Sequence, residues 1–158
     1  LDQQFPIERA FLGPHRLKER LGFDLVPSDL AKLPIGDLVQ FFSEKPALHR
    51  FPKSMAERTH DLCTHLVEYY DGNPSAVWAN LSDAAELRQR LLSVPGFGEN
   101  KTQIFVALLA KRFRITPQGW EEIAGHYADV GFHSVADLDS PDALSQLRKQ
   151  RKEARKAK

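Results

Sequence analysis

Nine residues near the middle of the chain carry its clearest chemical pattern: Val94-Pro95-Gly96-Phe97-Gly98-Glu99-Asn100-Lys101-Thr102. Two glycines flank one aromatic residue, and amphipathic stretches lie on both sides. Glycine accepts backbone angles that a side chain resists, and it lets another surface approach the main chain. A helix beginning at Glu99 presents unpaired N–H groups and the positive end of its dipole. That arrangement binds anions, and a phosphate is the natural occupant. Lys101 and Thr102 fall in the first turn, where they add a charge and a hydroxyl. Two further groups have chemical potential. Gln3 and Gln4 are adjacent amides at the start of the chain, and Glu121 and Glu122 are paired carboxylates after Pro117. Trp120, beside them, offers a π-face for stacking on a base.

These residues need a scaffold, and the pattern of apolar residues and turn formers predicts an all-helical one. A helix is expected over 7–21, broken near its middle by Gly13-Pro14. Short helices follow over 27–33 and 36–43, then a tight connection at 46–51. The longest helix runs over 53–70, with Met55, Thr59, Leu62, Cys63, Leu66 and Tyr70 inward; Asp71-Gly72-Asn73-Pro74 ends it. Asn73 and Ser75 cap a short turn through Trp78, and Ser82 is expected to cap a helix reaching Val94. Beyond the glycine bend a helix runs over 99–113, with Ile104, Phe105, Leu108, Leu109 and Phe113 as its apolar face. Pro117 is expected at the first position of a helix through Tyr127. A single turn at 134–138 precedes a last helix from Ser140-Pro141-Asp142. No strand, repeat or long linker is expected.

Charge is unevenly spread. Residues 148–158 hold seven Lys/Arg and one Glu, while the other 147 residues hold fifteen Lys/Arg and twenty Asp/Glu, a net of −5. The body is therefore mildly acidic, and contact with nucleic acid must use a local patch or backbone donors. The tail at 148–158 has two readings: a strand of positive charge along phosphates, or a solvated helix end. Single Cys63 excludes an intramolecular disulfide and a four-cysteine zinc or iron–sulfur site. It is expected to be a small core residue in a reducing, cytoplasmic setting. His60 and His65 are five apart, not the four of a helical metal pair, so no zinc is expected. Tyr69, Tyr70 and Trp78 are read as core, and His49-Arg50 as a surface turn, with a DNA contact as the alternative. No apolar run approaches membrane-spanning length. The chain starts at Leu1 without a methionine, so an upstream segment is expected.

The stretch "LLSVPGFGENKTQIFVALLA" resembles the helix-hairpin-helix motif of the base-excision DNA glycosylase superfamily, the helix-hairpin-helix–GPD fold. A second stretch, "LDQQFPIERA", is similar to the Gln-Gln segment that opens the core of that family, and the two lie about 90 residues apart. The likeness runs from Leu1 to about Tyr127 and is nearest to small bacterial members without an iron–sulfur cluster. It implies one domain over 1–147, with the hairpin at 91–113 and two small helical lobes around a cleft. It implies a place in the bacterial nucleoid, with no cofactor and damaged or abasic double-stranded DNA as partner; a monomer is the default expectation. Gly96, Phe97 and Gly98 would grip a phosphate through main-chain N–H groups, with a monovalent cation on the hairpin carbonyls. Asn100, Lys101 and Thr102 would flank that grip. Gln4, helped by Gln3, would enter the duplex where a nucleotide is flipped out.

The departures from the family pattern define the expected chemistry. Asn100 occupies the position of the family's lysine nucleophile, so a lyase route is not expected. Counting eighteen residues onward reaches Gln118, where the family has an aspartate opposing the cationic sugar. A glutamine has no charge for that task; Glu121 or Glu122 would substitute if the backbone shifts, and Asp129 is a further candidate at greater distance. The expected activity is monofunctional hydrolysis of an N-glycosidic bond. Two alternatives stand beside it: a non-catalytic DNA-binding module that has lost the aspartate, and a protein-interaction domain using the hairpin only as a turn.

Overall fold

The computed structural model describes residues 6–140 and 142–156, and Gln3 and Gln4 lie outside them. Among the described residues the fold is all-α, with eight α-helices joined by short turns and no strand. The chain divides into two compact units, 1–76 and 77–158.

The first unit holds α1 (Ile7–Leu21), α2 (Pro27–Lys32), α3 (Ile35–Ser43) and α4 (Pro52–Tyr70). Helix α4 packs against α2 and α3, and α1 packs against α3. Their shared core is Leu17, Leu30, Leu38, Phe42, Leu48, Met55, Ala56 and Cys63. Each large side chain buried this way contributes on the order of 1.5–3 kcal/mol before entropy is counted. The expected break at Gly13-Pro14 does not occur, because α1 continues through Pro14. Proline removes one N–H from the ladder. Ala10, Gly13 and Leu17, however, form one buried stripe across that point, and packing on both sides keeps the helix in register. Arg20 ties α1 to the last turn of α3 and to the segment after it, donating to the carbonyl oxygens of Phe41 and of Pro46, the latter at 2.8 Å. Beside it Arg16, Glu19, Arg20, Glu44, Lys45 and Pro46 line an open cleft of about 330 Å³.

Two expectations about exposure in this unit are corrected. His49 is only 1% exposed, since its Nδ1 accepts the Phe51 N–H at 3.1 Å and fixes the connection into α4. Tyr69 is 68% exposed, because it lies outside the Met55–Cys63–Leu66 stripe of α4.

The second unit holds α5 (Ala84–Ser93), α6 (Glu99–Phe113), α7 (Trp120–Ala124) and α8 (Ala143–Lys156). Helix α6 is its centre, with α5 and α7 packed against it. Its buried residues are Thr102, Val106, Ala107, Leu109 and Ala110; of the expected face Leu109 is among them, and Ile104, Phe105 and Leu108 are half-buried. Phe113 is 64% exposed, because α6 ends there and Arg114 turns away in the left-handed region at φ 58°. The α5 cap is Asp83, not Ser82: Asp83 Oδ1 accepts the Glu86 N–H at 2.9 Å. Glu86 reaches back to the Ser82 N–H and hydroxyl at 2.9 and 2.8 Å. The return bond of Glu86 goes to Ser82, the residue before the cap, and not to the cap residue Asp83, so the two contacts brace the helix start without forming a capping box. Helix α8 runs to Lys156, so the basic segment continues a helix docked by buried Ala143 and Leu147.

Candidate functional site

The bend between α5 and α6 is built by three local choices. Pro95 and Gly96 occupy the central positions of a turn closed by the Phe97 N–H on the Val94 carbonyl at 3.0 Å. Gly96 has φ +81°, the left-handed angle a type II turn demands at its third position. Phe97 then turns inward, edge-on to Phe105 with ring centroids 5.6 Å apart, and Phe105 in turn meets Trp78 at 5.7 Å. That aromatic trio anchors the tip of the hairpin to α6.

Gly98 stands at the N-cap of α6 with φ −117° and ψ 178°, an extended conformation open to any residue. A Cβ placed on it would meet no atom within 4 Å. Neither backbone angle nor packing demands a glycine there. No side chain caps this end of the helix, so the first-turn N–H groups are left for a partner other than a side-chain cap.

The charged groups around this end are already ordered. Lys101 Nζ donates to the Gly96 carbonyl oxygen at 2.7 Å and braces the bend. Glu99, the first residue of α6, is paired with Arg88 of α5, whose Nε lies 3.2 Å from Glu99 Oε2. Asn100 Oδ1 accepts the Tyr127 hydroxyl proton at 2.8 Å, which ties the turn after α7 to the first turn of α6. Gly96, Gly98, Asn100 and Lys101 are exposed and Phe97 is half-buried. Thr102 departs from the expected set. It is fully buried and its hydroxyl has no hydrogen-bond partner, because its position on α6 faces the core. It is therefore removed from the surface available to a phosphate.

The expected chemical residues sit further along the same unit. Pro117 does not open a helix: the Trp120 N–H returns to the Pro117 carbonyl at 3.1 Å, and Gly119 at φ +82° starts α7 two residues later. A left-handed residue at 119 cannot lie within a right-handed helix. Helix α7 is five residues long, and a 3₁₀ turn at Gly125–Tyr127 follows it. Gln118 is exposed, and its main-chain carbonyl accepts the Ala84 N–H at 2.9 Å, joining this loop to the start of α5. Glu121 and Glu122 are exposed in the first turn of α7, and Trp120 is half-buried beside them.

A polar hub that the sequence did not announce lies behind α6. Asp137 accepts the N–H groups of His133 and Ser134 at 2.9 Å each and pairs with Lys111 Nζ at 2.6 Å. Lys111 also donates to the Asp129 carbonyl at 2.8 Å. This ion pair across 26 residues holds the loop after α7 against α6; nothing in local spacing signals it. Among the described residues no group of His, Cys, Asp and Glu is arranged to hold a metal ion. Cys63 is a buried free thiol whose pKa burial raises to about 11, so it is no nucleophile. No helix among the described residues is long and apolar enough to cross a membrane.

No protein-family model, curated protein or solved structure matches this chain.

Proposed function

We propose that this chain is a base-excision DNA repair protein of the helix-hairpin-helix glycosylase type, acting by monofunctional hydrolysis. The observation that carries the reading is Gly98. It is a glycine that the fold itself does not require, at the uncapped start of a fifteen-residue helix, with open space where its side chain would be. A glycine in such a place leaves room for another backbone, and the N–H groups beside it suit a phosphate oxygen. Lys101 adds positive charge at the same edge, and the Arg88–Glu99 pair offsets the one carboxylate that would oppose an anion.

In this reading the hairpin grips the strand beside a flipped nucleotide, and Gln4 fills the gap. Glu121 or Glu122 supplies the negative charge that stabilises the sugar cation while water attacks. Trp120 lies next to them, where its ring face would meet an extruded base.

A second reading, a DNA-binding module without chemistry, is favoured by one observation. The residue in the family's aspartate position is uncharged Gln118, whose main chain is committed to the start of α5. The test is binding to a short duplex carrying a stable abasic-site analogue, against the undamaged duplex, for the parent protein and for Gly98→Val. The proposal expects preference for the abasic duplex and its loss in Gly98→Val with unchanged melting. Equal binding by both proteins would defeat it. Base release from a lesion panel, lost in Glu121→Gln/Glu122→Gln, separates the enzyme from the module.

A further inference from the structure

We infer that α8 is a polyanion-binding arm that takes the phosphate backbone of duplex DNA, at a surface separate from the hairpin and independent of that reading. Its first turns are fixed to the second unit. Ala143 and Leu147 are buried, and Gln150 Oε1 accepts the Phe132 N–H at 3.0 Å. The helix does not end at these contacts but continues to Lys156. Arg148, Lys149 and Lys152 are exposed on it. A helix presents its charges at fixed intervals, which an unstructured tail does not.

The charge density matches a duplex. From Arg148 to Lys156 there are six Lys/Arg and one Glu. At 1.5 Å per residue this stretch covers about 12 Å of axis. A DNA duplex of that length carries roughly seven phosphates, and a single strand about half as many. Residues 1–147 have a net charge of −5, so DNA approaching them meets long-range repulsion that a concentrated positive arm offsets. An anionic membrane is the poorer partner. A helix lying in a bilayer interface needs large apolar residues opposite its basic ones, and 148–158 contains only alanine and glutamine besides its charges.

The experiment measures affinity for an undamaged duplex across a fourfold range of salt. The parent, Lys149→Gln/Lys152→Gln and Lys149→Arg/Lys152→Arg are compared. Every phosphate that a variant leaves unneutralised lowers the slope of log affinity against log salt by about 0.9, so the glutamine variant should show a slope smaller by about 2. Across that salt range the parent's affinity then falls roughly tenfold further than the variant's. The arginine variant should keep the parent slope. An unchanged slope in the glutamine variant overturns the inference. So does binding to phosphatidylserine vesicles that the glutamine substitutions abolish while the DNA slope stays. Gly98→Val, measured alongside, keeps the two proposals apart: loss of binding there with no effect of the lysine changes leaves the hairpin and removes the arm. The reverse pattern leaves the arm and removes the hairpin.

Discussion

The ammonium group of Lys101 lies 2.7 Å from the carbonyl oxygen of Gly96, across the bend between α5 and α6. A residue in the first turn of one helix thus closes the turn that leads into it. The hydrogen bond places a fixed positive charge on a hairpin carbonyl, the group on which the proposed glycosylase reading would put a monovalent cation. DNA binding at constant ionic strength should therefore be insensitive to replacing potassium by sodium. Lys101→Gln should weaken binding about tenfold and make it respond to that exchange. Titrations in the two salts check both statements.

The two hairpin glycines should behave differently. Gly96→Ala puts a side chain at φ +81° and should cost about 1–2 kcal/mol of stability. Gly98→Ala, at φ −117° with no atom near its Cβ, should leave stability within about 0.5 kcal/mol of the parent. Urea denaturation distinguishes them. Equal losses would mean that Gly98 serves the fold and not a ligand.

Glu99 is the first residue of α6, paired with Arg88, at the helix end where the proposal puts a phosphate. Removing the carboxylate in Glu99→Gln should tighten DNA binding severalfold. Arg88→Gln, which leaves that carboxylate unopposed, should weaken binding by a similar factor. A stability change shared by both variants, with no opposite effects on affinity, would reduce the pair to a surface ion pair of small worth.

The α5 cap has a pH signature. The Ser82 N–H and hydroxyl, with Arg90 next, hold the Glu86 carboxyl at about 2, below its ordinary 4.5. A carboxyl with a lowered folded pKa binds its proton first in the unfolded chain. Its stabilisation is therefore complete above about pH 4.5 and disappears as pH falls toward 2. Glu86→Gln should flatten the stability profile within that window. Asp83→Ala removes the cap acceptor and should cost about 1 kcal/mol at neutral pH. Melting curves from pH 2 to 7 test both.

Cys63 should not react with a thiol reagent in the native protein. Burial favours its neutral form up to about pH 11, so only unfolding exposes a reactive thiolate below that value. Its labelling rate in increasing urea should follow the global unfolding curve of the first unit.

Residue types and their spacing were enough to determine an all-helical chain, most helix limits and a glycine-bearing bend between α5 and α6. These are local matters. A glycine after a proline, or an apolar residue every third or fourth position, sets backbone angles and one face of a helix within a few residues. The spacing also separated a basic segment from an acidic body, since charge is a sum over composition. Tertiary packing decided the rest. Pro14 stayed inside α1 because Ala10, Gly13 and Leu17 are buried on both sides of it. Thr102 turned into the core, and Phe113 out of it, because the neighbours of α6 are α5 and α7 and not an ideal apolar stripe. His49 was buried by a hydrogen bond two residues long that follows from the path of the loop. Lys111 met Asp137, and Tyr127 met Asn100, across separations of 26 and 27 residues. Such pairs depend on where whole helices come to rest, and no pattern along the chain encodes them.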